Sequence, residues 1–416
     1  MEGSRAEDME SVRPSRKRRL SADSGVPTRA APEKISRYQL CFELASGGMA
    51  SVYLARAEGD PGFEKLVALK RIHPHLADET DYVEMFLDEA RIASRITHAN
   101  VCSVFDFGEA DGEYYIAMEY LVGEPLSRVH RRVVANADQR ISPLLPARMA
   151  RIIAQACEGL HAAHELKDAH GESLHVVHRD VSAENLFVTY DGATQVVDFG
   201  IAHARQRVHH TEAGQVKGTF PYMSPEQMTA AVVDRRVDVW ALGAVLWELL
   251  TLRRLFLRDT DVNTMYAVLS SEIRPPSDHR SAVPPELDEI VLKALQRNPD
   301  ERWQSAREMG RALRRFLAKQ EVLVGPAELA DWMAELFPNG ESRKRQLMAL
   351  ARTSDSSDAS DPPRHARDES NRRSIRIPPT RGRRMPSPPP VPASLLVIVI
   401  GVVTALTVVA LDWLRQ

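Results

Sequence analysis

Residues 176–188 read VVHRDVSAENLFV, and residues 194–203 read TQVVDFGIAH. Each is an apolar run broken by a short polar segment. In the first, an apolar strand is expected to enter a loop carrying Asp180 and Asn185, and a second strand to leave it. In the second, Asp198 ends a strand and a glycine follows. An aspartate in such a place ordinarily caps a turn. Two carboxylates and an amide, each on a loop held by a rigid scaffold, would instead make a set of hard oxygen ligands for divalent cations.

Upstream of this pair the pattern favours strands. YQLCFEL (38–44), SVYLARA (51–57) and LVALKRI (66–72) alternate or run apolar between glycine-rich turns. The turn LASGGMASVY at 44–53 looks like a phosphate-cradling glycine loop that keeps Gly47 and Gly48 but has Ala45 and Ala50 at its outer positions. Alone it supports only a hairpin. Lys70 ends an apolar strand, where a lysine ordinarily snorkels to the surface. Just downstream of the glycine hairpin, it could meet phosphate oxygens as a point charge. A helix is expected over about 81–96, with Phe86, Glu89, Ala93 and Ile96 on one stripe. A carboxylate on an apolar stripe needs a partner. Lys70 is the candidate, and the alternative is a boundary glutamate at the stripe's edge.

Further strand-like runs cover 101–109 and 114–121. From about residue 144 helical periodicity dominates, in ARMARIIAQACEGLHAAHE, RRVDVWALGAVLWELLT and PELDEIVLKALQ. Strands first and helices afterwards is an α+β pattern with two lobes. The balance of 44% apolar and 27% charged residues in 416 suits a globular core, and a net charge of −3 offers no whole-chain attraction to nucleic acid. Cys41, Cys102 and Cys157 are far apart, so neither a disulfide framework nor a zinc site is indicated.

The ends differ from the middle. Residues 1–36 are expected to be a disordered basic arm, and 353–392 a disordered linker rich in Pro, Ser and Arg. Residues 393–411, ASLLVIVIGVVTALTVVAL, carry no charge. As a helix they would span about 28 Å, close to the ~30 Å hydrocarbon core of a bilayer. Arg381, Arg383 and Arg384 precede them, which by the positive-inside rule places the N-terminal part in the cytoplasm, with 412–416 as a short tail. ELADWMAELFPN (328–339) is expected to be an amphipathic helix with Leu329, Trp332 and Leu336 on one face, packed on the helical lobe. A docking or dimer surface is the alternative.

The glycine loop, V-A-L-K, the helical glutamate, H-R-D-x-x-x-x-N, D-F-G and S-P-E occur in one fixed order. On these motifs the chain resembles the bacterial eukaryotic-like (Hanks-type) Ser/Thr protein kinases over about residues 38–317. The resemblance implies a bilobal kinase fold, with a small lobe at 38–121, a large lobe at 122–317 and a helical extension at 318–352. It implies ATP in the cleft, Mg²⁺ (Mn²⁺ as an alternative ion), protein substrates, and a homodimer as an open question.

In the phosphoryl-transfer template, Lys70 would hold the α/β-phosphates and Glu89 would orient it. Asp180 would accept the substrate proton, and Asn185 and Asp198 would hold the metal. Leu44, Ala45, Ser46, Gly47, Gly48, Met49 and Ala50 would cover the nucleotide. Val52, Ala68 and Leu186 match apolar contacts to adenine; Met118 matches the gatekeeper, with Glu119 and Leu121 offering hinge backbone. Glu226 and Arg302 match a buried ion pair, and Asp238 a brace for the catalytic loop. Arg179 matches members switched on by loop phosphorylation, for which Thr211 and Thr219 are the phosphosite candidates. Thr219 also favours Ser/Thr over Tyr.

One departure stands out. Ser182 occupies the place of a lysine that touches the γ-phosphate, and Glu184 is no substitute. A cationic stabiliser of the transition state is therefore missing. The expected function is an inner-membrane-anchored Ser/Thr kinase of bacterial signalling that autophosphorylates. The alternative is a pseudokinase scaffold, favoured by Ser182 and the two loop alanines.

Overall fold

The computed structural model describes residues 33–59, 65–199, 220–229 and 231–353. The small lobe is an antiparallel sheet of six strands in the order β1-β2-β3-β4-β6-β5. These are β1 (Lys34–Ile35), β2 (Tyr38–Ser46), β3 (Ala50–Ala57), β4 (Lys65–Ile72), β5 (Val104–Ala110) and β6 (Glu113–Glu119). The folded part therefore starts before residue 38, and the expected arm boundary at 36 moves back. Ile35 is buried with Tyr38, Leu40 and Leu69, and β1 extends the sheet edge. A two-residue strand carries no periodicity that could reveal it.

A one-turn helix at Pro74–Ala77 and the longer α1 (Thr80–Ala93) interrupt the strands, α1 burying Val83, Phe86, Glu89, Ala90 and Ala93. It stops short of Ile96, which turns into the core of the large lobe. That lobe holds a three-stranded sheet of β7 (Gly123–Pro125), β8 (Leu186–Thr189) and β9 (Thr194–Val196). Its main helices are α2 (Leu145–His164), α3 (Arg236–Thr251) and α4 (Ala306–Ala318). Every residue of α3 from Val237 to Thr251 is buried, so it is packed on all sides and forms the axis of the lobe, its buried Asp238 and Glu248 both engaged in hydrogen bonds. Trp240 on α3 stacks on Phe256 at 5.6 Å.

Residues 176–178, expected as a strand, join no sheet. The N–H of His178 donates to the Asp238 carboxylate rather than to a neighbouring strand.

Two further helices follow, α5 (Pro326–Leu336) and α6 (Gly340–Thr353). The start of α5 is set by Glu328, whose carboxylate accepts the Gly325 N–H at 2.7 Å. Leu329, Trp332, Met333 and Leu336 are buried in the large-lobe core. The expected linker and the apolar segment at 393–411 lie outside the described residues, as does most of the basic arm. Among the described residues no helix is long and apolar enough to cross a membrane.

Candidate active site

The cleft between the lobes is built from three directions. From the sheet, β4 carries Lys70 inward, its Nζ donating to Glu89 Oε1 at 2.8 Å and Asp198 Oδ1 at 3.1 Å. From α1 comes Glu89, which is buried among apolar neighbours as its stripe position requires. Asp198 comes from the segment after β9. Burial alone would lower the lysine, but the carboxylates of Asp198 and Glu89 outweigh it and hold its pKa above the ordinary lysine range. Burial lifts the Glu89 carboxyl to about 7, against the pull of Lys70. One cation shared by two carboxylates leaves one negative charge uncompensated. Glu89 is the more deeply buried of the two carboxylates, its side chain 10% exposed against 40% for Asp198, so desolvation weighs most on it.

The catalytic-loop candidates are held from below. Asp238 accepts the backbone N–H groups of His178 and Arg179, each at 2.8 Å, and lies 2.7 Å from His164 Nε2. Burial would raise the Asp238 carboxyl, but the hydrogen bond from His164, with the neighbouring amides, holds it below the usual range. Arg179 and Asp198 both adopt left-handed backbone, at φ 66° and 53°. For residues with a side chain this costs about 1–3 kcal/mol each. The strain is sustained by Asp238 at Arg179 and by Lys70 at Asp198. Gln227 adds a bond from its side chain to the Arg179 carbonyl at 3.1 Å. Asn185 Nδ2 donates to the Asp180 carbonyl at 2.8 Å and to its Oδ2 at 2.9 Å. Phe199 is buried against the His178 ring at 4.8 Å, which fixes the direction of the neighbouring Asp198.

The apolar side of the cleft brings together Ala68, Met118 and Leu121, with Val52 beside them and Cys102 among them. Leu186 is placed otherwise than expected. It is fully buried in the large-lobe core, and Phe187 packs against the Ala68–Met118 cluster in its stead. Successive residues of β8 face opposite ways, so the side chain toward the cleft is the second after Asn185, not the first. Glu119 is paired through its N–H to the Ser103 carbonyl at 2.9 Å.

The glycine loop joins β2 to β3. Leu44 is half-buried against Cys41, Leu54 and Leu66, while Ala45, Ser46, Gly47 and Gly48 are exposed. A Cβ on Gly48 would meet nothing within 4 Å, and one on Gly47 only the Ala50 carbonyl at 3.6 Å. Internal packing therefore does not demand glycine at either position. Ala50 differs from expectation. Its methyl is buried with Ile72, Leu76, Phe86 and Ile116, and Met49 packs on the same cluster. It belongs to the small-lobe core rather than to the nucleotide's cover.

The residues fit a hard divalent cation. The Asn185 side-chain oxygen and the Asp198 carboxylate are the oxygen donors of two adjacent segments. Among the described residues no cluster of three His, Cys, Asp or Glu side chains could cage a metal alone. Mg²⁺ characteristically takes one or two protein ligands and completes its shell with phosphate and water.

A second constellation lies below the cleft. Arg302 forms a two-pronged pair with Glu226, Nη1–Oε1 at 2.6 Å and Nη2–Oε2 at 2.8 Å, with the arginine side chain wholly buried. Its remaining donors reach the carbonyls of Gln296, Arg236 and Arg297, and its guanidinium lies 5.0 Å from the Trp240 ring centre.

The protein kinase domain family matches residues 38–312. The chain belongs to that family. The kinase is 44% identical over 306 residues to the tyrosine-protein kinase MasK of Myxococcus xanthus, covering 74% of this chain and 46% of that protein. It is 38% identical over 285 residues to the serine/threonine-protein kinase PknB of Mycolicibacterium smegmatis, covering 67% and 43%. Among solved structures it is similar to the PknI kinase domain of Mycobacterium tuberculosis, at 27% identity and a TM-score of 0.51 over 69% of this chain and 98% of that one. The kinase spans less than half the length of these two curated relatives.

Thr211 and Thr219 lie outside the described residues of the kinase. Ser182 is buried, and its carbonyl accepts the Asn185 N–H at 3.1 Å, so it serves the turn of the loop. Motif reading missed His164, Gln227 and Phe187. Strand alternation puts Leu186 and Phe187 on opposite faces but does not say which of them faces the cleft. His164 sits in ordinary helical sequence and Gln227 closes a capping box with Ser224, and only the fold brings them beneath the catalytic loop.

Proposed function

We propose that this kinase transfers the γ-phosphate of ATP to Ser or Thr hydroxyls of proteins, its own loop residues Thr211 and Thr219 included. We place it at the cytoplasmic face of the inner membrane, held by residues 393–411. The observation that carries the catalytic reading is the double engagement of Lys70 with Glu89 and Asp198. That contact brings sheet, helix and metal-binding segment into one working arrangement.

In this reading the Asp180 carboxylate, steered by Asn185, accepts the proton of the acceptor hydroxyl. Lys70 holds the phosphates, and Gly47 and Gly48 let the loop backbone close over them. Asn185 and Asp198 would hold a Mg²⁺ ion, which when bound would supply neutralisation of the charge developing on phosphate. The Ser/Thr assignment is supported by the likeness to the PknB serine/threonine kinases and to the serine/threonine-protein kinase PrkC of Bacillus subtilis, 33% identical over 273 residues. A tyrosine acceptor is the second reading, favoured by the likeness to MasK. A scaffold without transfer is favoured by Ser182.

The test is incubation of the full chain with Mg-ATP and a basic protein acceptor, beside Asp180→Asn. Transfer by the parent, reduced about 100-fold or more in the variant, is expected, with phosphoserine or phosphothreonine in the hydrolysate. Phosphotyrosine alone would favour the second reading. Intact nucleotide binding without transfer by the parent would establish the scaffold.

A further inference from the structure

Residues 318–353 lie beyond the matched kinase domain, and their second helix touches both lobes. The corner between α5 and α6 sits on the large lobe. Phe337 is buried and meets the Tyr190 ring edge-on at 6.4 Å. A Cβ on Gly340 would lie 1.8 Å from the Tyr190 hydroxyl oxygen, so only glycine allows α6 to begin so close. That hydroxyl donates to Glu124 at 2.7 Å, on β7 just after the hinge.

The far end of α6 lies on the small lobe. Ala351 is fully buried with Cys41, Leu54 and Leu66, and Leu347 and Met348 pack there beside Phe42, Leu44 and Tyr120. The last turn is also held by polar contacts. The Ala351 carbonyl lies 3.8 Å from Cys41 Sγ, and the Arg352 carbonyl accepts from Arg56 Nη1 at 3.1 Å. A guanidinium at the carbonyl end of a helix is favoured by the helix dipole. Fourteen residues give α6 a reach of about 21 Å, enough to run from the β7 region to β2 and β3.

The contacts of α6 are not scattered. They fall on β2 and β3, the two strands that the glycine loop joins, on Leu66 of β4, and on Tyr120 in the hinge. Two lobes joined by a hinge move relative to one another by default. A loop that must be ordered by its ligand loses affinity by the cost of that ordering. We propose that α6 is an interlobe strap that positions the glycine loop and hinge for nucleotide, with Leu347, Met348 and Ala351 as positioning residues. The proposal rests on the ATP-binding reading above.

The strap should act on nucleotide affinity and not on the chemistry at Asp180. In the full chain, Ala351→Glu puts a charge into the buried contact, and Gln346→Glu places the same charge on the exposed face. The readouts are the Kd for a fluorescent ATP analogue and, in the phosphotransfer assay, KM for ATP against kcat. Ala351→Glu is expected to raise Kd and KM about 10-fold with kcat within two-fold, and Gln346→Glu to match the parent. A purely structural role would lower the active fraction, and with it apparent kcat, while leaving Kd unmoved. If Ala351→Glu does not yield folded protein, Met348→Ala serves, with a rise of about three-fold expected. A folded variant that binds nucleotide within 1.5-fold of the parent overturns the strap. A parent chain that binds no nucleotide overturns the ATP-binding reading and the strap with it.

Discussion

Burial raises the affinity of the Glu89 carboxyl for its proton. Its carboxyl is lifted from the ordinary 4.5 to about 7 by burial. Across that window the folded kinase binds a proton that the unfolded chain has already lost, so stability falls as pH rises. Glu89→Gln should flatten this slope, measured by urea denaturation at a series of pH values from about 5 to 7.5. A slope unchanged by the substitution would show that the proton sits elsewhere. Arg302 presents the opposite case, a buried charge with every donor engaged. Removing its partner by Glu226→Ala leaves a guanidinium stranded, at an expected cost of about 3–5 kcal/mol. Urea melts would read it, and a loss below about 1 kcal/mol would contradict the role assigned to the pair. Arg302→Lys should fare little better, because an ammonium cannot reproduce the planar fork.

At the scale of elements, the sequence was legible wherever alternation or helical spacing ran long enough. β2, β3, β4, α1, α2 and α3 all fall within a few residues of where the pattern put them. The misplacements have distinct physical causes. Leu186 and Phe187 exchange roles because one step along a strand reverses the face, and counting from Asn185 does not reveal where β8 begins. Residues 176–178 look like a strand but spend the His178 N–H on Asp238, 60 positions away. Ala50 is a boundary case: it reads as a loop flank, yet it is the first residue of β3 and fills the core under α1. Ala50→Gly should therefore destabilise the small lobe by about 0.5–1 kcal/mol in thermal melts and leave KM for ATP within two-fold. Ala45→Gly, at an exposed position, should change neither by much. A large drop in KM on Ala50→Gly would return that residue to the nucleotide.

For the whole molecule, the order of motifs revealed the family, but the assembly of the site is a property of the fold. Lys70 meets Glu89 and Asp198 across 19 and 128 positions of sequence. Single motifs read as a surface lysine, a boundary glutamate and a turn aspartate; only their convergence makes a centre. Partition between membrane and solution also belongs to this scale. Full-length kinase should remain with membranes after an alkaline carbonate wash, and deletion of 393–411 should release it. Release of the intact chain by the wash would remove the anchor from the proposal.

Cys41 gives the packing of α6 a chemical clock. All three cysteines are buried thiols, and Cys41 lies under Ala351. Buried thiols react only through local opening. The rate at which iodoacetamide marks Cys41 therefore counts how often the end of α6 lifts from the sheet. Cys102 in the cleft and Cys157 in α2 run alongside as separate clocks for the cleft and the large-lobe core. Peptide mass spectrometry of the unmodified protein would read all three in one experiment. Cys41 should be marked well before Cys157, and more slowly once nucleotide is bound.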